Sequence, residues 1–579
     1  MRAAWFLIVI AAFGSLMACS SDSQTTNMNA SGGIEGSTGG TGSTGGTNGT
    51  GATISNGTGA TVSANTGGST IGPNQPDSGS GMNTGGQSNS GMDGSVPGMT
   101  ADGTSVLQHH NHANRDGVYV DPLLTKTAVA SLHIDMSFAN AMVDGPVYAQ
   151  PLYLAGTSGK PDQVLVVTEQ NQVISFNAND GSTVWSKSLG TPFPKSQLPC
   201  GNIDPLGITS TPVIDGTTRI MYLDAMISDG GTAHHQVFAL DADTGDIQSG
   251  FPVDMNATAQ ANNTTFDSLV QNQRGALVLL DGYVFVPFGG HYGDCGTYHG
   301  WIVGISTSDP TQVRAWVTRG IAGGVWEPGG IASDGTSLFF VTGNTENNPN
   351  QFSAPPTWQD GDAVFRLPSS LAFSGDNADY FVPSNWQTLD ITDQDIAGCN
   401  PVLFDVPGAT PSKLVIALGK DGKAYVLDRD NMGGIGSPLA GAQVANGPII
   451  NAPAAYTTPS GTFVVYKGNG NGCPGGQSGG LAAVQVSAAA PPAVSVAWCG
   501  GPTTVHSPAV SMSDAQGNDA IVWIVGTDYK LHGLDANTGE SVFDGGSAAM
   551  STVQGYQTPI IVDGRIFVAA NNQVYAFTL

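Results

Sequence analysis

Eight times along the chain a short cluster built on proline, once on Gly-Ala, introduces an apolar stretch, and most copies then run through a polar turn into an alternating strand. The clusters lie at Pro151, Pro212, Gly275, Pro328, Pro401, Pro453, Pro508 and Pro559, at intervals of about 50 to about 75 residues. Repeats of this length build propellers or solenoids, because one copy cannot bury its apolar face alone. The segments from Gln163 (QVLVVTEQNQVISFNANDGSTVW), Lys413 (KLVIALGKDGKAYVLDRDNMGG) and Ala520 (AIVWIVGTDYKLHGLDANTGESVF) share one grammar: strand, tight turn, strand, Asp-to-Gly turn, strand. Alternation of period two, with Gly, Asn and Asp at the turns, is the pattern of an antiparallel meander, and no helical period is sustained in the repeats.

Packing such sheets radially buries both faces of each, so the expected fold is all-β, an eight-bladed β-propeller, with seven blades and an irregular insertion as the alternative count. The last copy, TPIIVDGRIFVAANNQVYAFTL, supplies only three strands before Leu579, whereas ASLHIDMSFANAM ahead of the first cluster is a strand without a repeat. The N-terminal strand is therefore expected to complete the last blade and close the ring.

Residues 1–18 carry Arg2, an apolar run from Ala3 to Phe13 and Leu16-Met17-Ala18 before Cys19, the pattern of a secretory signal peptide with a lipoprotein cleavage site. Cys19 is the expected lipidation site, and Ser20 after it points to the bacterial outer membrane by resemblance to enterobacterial sorting signals. From residue 19 to 105 the chain is Gly, Ser, Thr and Asn with almost no charge or large apolar side chain, a composition that cannot fold by burial. It reads as a tether with a root-mean-square span of roughly 50 Å. Residues 106–579 then form the propeller. A net charge of −27 with only 11% charged residues offers nothing to nucleic acid or an anionic lipid surface, so the expected membrane contact is through the lipid anchor.

Five further cysteines sit in an exported chain, where disulfides persist. Cys473 and Cys499 fall within one blade and form the easiest pair; Cys200 and Cys295 lie in loops of neighbouring blades and could staple them; Cys399 is left over. No two are spaced as a zinc-type pair.

Three segments could carry chemistry. LFFVTGN ends at Asn344, DQDIAGCN contains Asp395, and GKDGKAYVLDR contains Lys420. Together with the repeat grammar from Val147 to Leu579, they resemble the pyrroloquinoline quinone (PQQ) dehydrogenases, the quinoprotein alcohol dehydrogenase-like propellers. The resemblance implies Asn344 as a calcium ligand, Asp395 as the catalytic base that takes the alcohol proton, and Lys420 as a donor to the quinone oxygens. Each also has an ordinary reading as turn chemistry: Gly-Asn and Lys-Asp-Gly suit tight turns, and an Asp pair can cap one.

The chain departs from that family where the cofactor is held. It has no pair of adjacent cysteines to clamp the quinone, and the stretch Met221 to Asp241 that should carry a glutamate calcium ligand has only Asp224 and Asp229. PQQ and calcium are possible cofactors with part of their cradle missing. HHNHANRDGVY (His109 to Tyr119), GPVYAQPLYL, CGNIDPLGITSTPVID, YHGW and VTGN resemble uncharacterised exported bacterial proteins of the PQQ-like type, which implies fold and lineage without a reaction. His109, His110 and His112 could meet His234 and His235 at a metal, although loop or ring-closure roles suit them better. Arg274, Trp326 and Glu327 precede inner strands and could face the axis as a polar pocket with a cofactor-binding wall.

The leading expectation is a cell-envelope lipoprotein whose propeller acts as a ligand-binding, protein-binding or scaffold module, with an envelope protein or a small molecule as partner; its precedent is the PQQ-like lipoprotein that assists β-barrel assembly in the outer membrane. The alternatives are a periplasmic calcium- and PQQ-dependent alcohol or sugar dehydrogenase and a structural or adhesive surface module. Convergence of Asn344, Asp395 and Lys420 would favour the dehydrogenase.

Overall fold

The computed structural model describes residues 104–579 apart from residues 350, 547 and 548. The signal peptide, Cys19 and nearly all of the tether lie outside the described residues.

Each of the eight clusters, seven on proline and one on Gly-Ala, opens the innermost strand of a four-stranded antiparallel blade. Blade 1 runs Leu152–Leu154, Gln163–Val167, Gln172–Asn177 and Thr183–Ser188. Blades 2, 3 and 4 begin at Val213–Asp215, Val278–Leu280 and Ala332–Ser333, and blades 5, 6 and 7 at Val402–Asp405, Ala454–Thr458 and Ala509–Met512. Blade 8 takes Ile560–Val562, Arg565–Ala569 and Val574–Thr578 from the C-terminus. Its fourth strand is His133–Ile134, paired antiparallel as His133 with Thr578 and Ile134 with Phe577. Ring closure by the N-terminal strand is therefore present, and the count of eight stands over seven.

Because both faces of every blade are buried, the apolar residues sort into clusters between neighbours. Leu165, Val167 and Val173 of blade 1 pack with Leu223 and Phe238 of blade 2; Phe339, Val341 and Val364 of blade 4 pack with Val415 and Tyr425 of blade 5. The closure cluster joins Ile521 and Trp523 of blade 7, Phe567 and Phe577 of blade 8 and Val164 and Phe176 of blade 1. Burial of this kind, at about 25 cal/mol per Å² of apolar surface, is the main stabilising term.

The Asp-to-Gly turns do more than reverse the chain. In blade 7, Asp535 Oδ1 accepts from Asn537 N at 2.8 Å, and Gly539 takes a φ of +73°. The ring of Trp498, on the outer strand of blade 6, lies over Gly539 and donates from Nε1 to Ala536 O at 2.8 Å. Trp185 of blade 1 repeats the contact on Gly245 and Ala242 O of blade 2.

One element goes beyond the blade plan. Segment 106–121 touches the inner strand region of every blade and so lies on the ring axis. Its carbonyls at Val106, Leu107, Ala113, Asn114, Asp116 and Gly117 accept from Tyr153, Ile214, Ser333, Leu403, Ala455 and Val510, on blades 1, 2, 4, 5, 6 and 7. The fully buried Arg115 donates to Leu277 O at the start of blade 3 at 2.8 Å and to Ile331 O of blade 4 at 3.0 Å, and Asp121 Oδ2 accepts from Gly564 N of blade 8 at 2.6 Å. Val118–Val120 adds a parallel strand to blade 7.

Two disulfides join Cys200 with Cys295 and Cys473 with Cys499, while Cys399 is a free buried thiol. No described helix is long and apolar enough to cross a membrane.

Candidate functional site

The turns of blades 3, 4 and 5 converge at one end of the ring. Lys420 sits in the hairpin between Lys413–Leu418 and Lys423–Asp428, where Gly422 takes a φ of +75°. Its backbone N–H donates to Asp395 O at 2.8 Å, which ties this hairpin to the loop leading into blade 5. A short helix, Trp386–Thr392, ends at Asp393 in the left-handed conformation, with φ of 52°. This reversal brings Asp393 and Asp395 to the same ammonium: Lys420 Nζ lies 2.7 Å from Asp393 Oδ1 and 2.8 Å from Asp395 Oδ2.

Asn344 follows the Ser337–Val341 strand, and its Nδ2 donates to Asp393 Oδ1 at 3.4 Å. Trp326 stands beside Lys420 Nζ, 5.3 Å from the ring centre, and beside the Arg274 guanidinium at 5.4 Å. Arg274 Nη2 donates to Gly290 O at 3.1 Å. Asn344, Asp395, Lys420, Trp326 and Arg274, distant in the chain, thus share one cluster. Lys420 is no exposed turn residue: its side chain is 12% exposed, between two carboxylates.

Burial raises the Asp395 pKa above the ordinary carboxylate range, and the Lys420 charge opposes that rise while Asp393 adds to it. For Lys420 burial works against the charged form, and the two carboxylates overcome it, so its pKa lies above the ordinary lysine value. The ammonium is therefore permanent at neutral pH.

Several residues of this cluster were not singled out in the sequence. Asp393 is one, although it opens the quoted DQDIAGCN segment; its role depends on a left-handed helix end that spacing alone does not announce. Tyr298, in the YHGW segment, donates to Asp294 Oδ1 at 2.7 Å and packs on Gly290. Beneath the cluster lies a buried acid pair. Asp390 Oδ1 accepts from Thr345 N at 2.8 Å and Asp362 Oδ1 from Ile396 N at 3.2 Å, while neither Oδ2 finds a donor elsewhere. Burial raises both; the Asp390 charge adds to the rise at Asp362, and the charges of Asp395 and Glu346 add to it at Asp390, which is pushed up to about 7. Glu327 does not join Arg274 and Trp326 in a pocket wall: it is fully buried, accepts from Val341 N at 3.4 Å, and burial pushes its pKa well up.

The five histidines do not gather at a metal. His109 stacks on His110, His112 pairs with Asp116 at 2.9 Å, His234 with Asp254 at 2.7 Å and His235 with Asp224 at 2.6 Å. Asp224, in the stretch aligned with the missing calcium glutamate, is thereby committed to His235.

Calcium needs six or more oxygen ligands. Asn344 Oδ1 is a buried acceptor without a partner, but the carboxylates beside it are bridged by Lys420, and no group of three or more His, Cys, Asp or Glu among the described residues is placed to hold a metal. The donor set does not fit a dication, and the quinone clamp is missing from the chain.

The architecture is thus an eight-bladed β-propeller with a polar cluster over blades 3 to 5. The family PQQ_2, described as outer membrane protein assembly factor BamB, matches residues 143–353. Among solved structures, the chain is similar to quinohemoprotein alcohol dehydrogenase ADHIIG from Pseudomonas putida HK5, with TM-score 0.57, 12% identity and coverage of 82% of this chain and 80% of that one. The quinohemoprotein alcohol dehydrogenase from Comamonas testosteroni gives 0.55 at 14% identity, covering 82% of this chain and 80% of that one. A europium-containing methanol dehydrogenase gives 0.55 at 12%, covering 84% of this chain and 99% of that one. No curated protein matches the sequence significantly. The chain has the fold of the PQQ-like β-propellers, and over residues 143–353 its sequence matches that family. At these identities the likeness to the dehydrogenases is one of fold.

Proposed function

We propose that the protein is a lipid-anchored binding propeller of the bacterial cell envelope, held at the outer membrane, whose blade 3–5 cluster holds a small polar ligand without turnover. One observation carries this reading: where five side chains from three blades converge, Arg274 Nε–H and Asn344 Oδ1 are both buried and without a partner. A buried polar atom left unpaired costs about 1–3 kcal/mol. A ligand that offers an acceptor to Arg274 and a donor to Asn344 removes both penalties, with the fixed charge of Lys420 beside it. The anchor follows from the Cys19 cleavage pattern, and an envelope protein can meet the same face.

The convergence of Asn344, Asp395 and Lys420 also favours the dehydrogenase reading, although the metal donors and the clamp do not support it. One experiment separates the two. Cys19→Ala should leave the membrane fraction and yield soluble protein for calorimetric titration with PQQ plus calcium and with a panel of small hydroxy and keto acids. The binding reading expects an acid of the panel to bind and Arg274→Ala to weaken it at least tenfold, with no response to PQQ and calcium. Micromolar PQQ binding that disappears in Lys420→Ala would replace it with the dehydrogenase.

A further inference from the structure

A second polar cleft lies on blade 3, outside the cluster described above. It has a volume of about 310 Å³ and is lined by Thr265, Asp267, Gln271, Thr297, His299 and Trp301, among others. Ligand sites begin at about 300 Å³, so it has room for one small molecule. The Cys200–Cys295 disulfide holds the loop that supplies Thr297 and His299.

Two of its lining residues carry polar atoms that the protein leaves unsatisfied. Trp301 is completely buried, its ring packed edge-on against Phe266 at 5.6 Å, and its Nε1–H has no acceptor. Gln271 is 2% exposed, and its Oε1 has no donor. His299 adds a third group. Its Nδ1 lies 3.1 Å from Thr318 O, an atom that can only accept, so the proton is on Nδ1 and Nε2 is left as an acceptor. Burial lowers its pKa, which keeps the ring neutral.

The cleft thus presents one buried donor and two acceptors, with the Asp267 carboxylate beside them. A carboxylate or phosphate ligand would meet Asp267, Gln271 Oε1 and His299 Nε2 with nothing to donate. An ammonium would leave the indole N–H unpaired. A hydroxyl can accept, as Trp301 Nε1–H requires, and donate, as Gln271 Oε1 requires, and the threonine hydroxyls can serve its neighbours in either sense.

We propose that this cleft is a binding site for a small polyhydroxyl ligand, a single sugar ring or a polyol. The test is ligand-observed NMR and calorimetry on the full chain with glucose, galactose, mannose, N-acetylglucosamine and glycerol as probes. At least one probe should bind, and Trp301→Phe, which removes the indole N–H and keeps an aromatic ring at the position, should weaken it at least tenfold. Gln271→Met should do the same and serves as the second variant should the first fold poorly. Arg274→Gln should leave the affinity unchanged, which separates this site from the blade 3–5 cluster. Binding of no probe, or equal binding by Trp301→Phe and Gln271→Met, would overturn the assignment.

Discussion

At the scale of single residues, the chain stores charge where it is costly. Lys420 bridges Asp393 and Asp395, whereas Asp362 and Asp390 below it are each held by one backbone donor, with Oδ2 left unpaired. An acid whose folded pKa is raised contributes stability that is fully present below its unfolded pKa, near 4, and is lost as pH rises through the folded value. For Asp390, pushed up to about 7, the window of loss runs from about pH 4 to about pH 7 and somewhat beyond. Asp390→Asn keeps the acceptor for Thr345 N and removes the titration. It should raise the melting temperature at pH 8 and leave it nearly unchanged at pH 4.5, measured by circular dichroism. Asn344, Asp395 and Lys420 were legible because each stands in a motif whose chemistry is local. Asp362 and Asp390 were not, since an aspartate in a polar loop and one buried beneath three blades have the same letter and similar neighbours in the chain.

Among the elements, the Asp-to-Gly turn shows which part of a motif is local. Its Asp caps and its Gly supplies positive φ, and both could be read from the repeat grammar. That the Gly also receives a tryptophan from the preceding blade could not be, because Trp498 and Gly539 belong to different copies and their contact exists only once two sheets are stacked. A Cβ on Gly539 would stand 2.5 Å from the Trp498 ring, whereas one on Gly159, at φ of +85°, meets nothing within 4 Å. Gly159→Ala should therefore cost only the backbone strain of about 1 kcal/mol. Gly539→Ala should cost about 2–4 kcal/mol, because overpacking a fixed ring adds about 1–3 to that strain. Urea denaturation of the pair, with matched slopes, would measure the difference.

For the whole molecule, stability depends on how the ring is closed and on what runs along its axis. Closure by His133–Ile134 was foreseeable from a missing strand at one end of the chain and a spare one at the other. The axial segment was not, although its histidines were noted. Arg115 donates to carbonyls of blades 3 and 4 from a fully buried position, and burial pulls its pKa down to about 9. Arg115→Met should cost at least about 3 kcal/mol, the order of two lost charge-assisted hydrogen bonds at about 1.5–3 each. A loss below about 1 kcal/mol in chemical denaturation would show that the axis is held by the backbone carbonyls alone. What the sequence by itself determined was whatever repeats or is local: alternation makes strands, Asp and Gly make turns, and eight copies with one displaced strand make a closed ring of eight blades. Only the tertiary structure decided what meets at the axis and over blades 3 to 5, because those neighbours are brought together by rotation from blade to blade, and their distance in the chain carries no record of it.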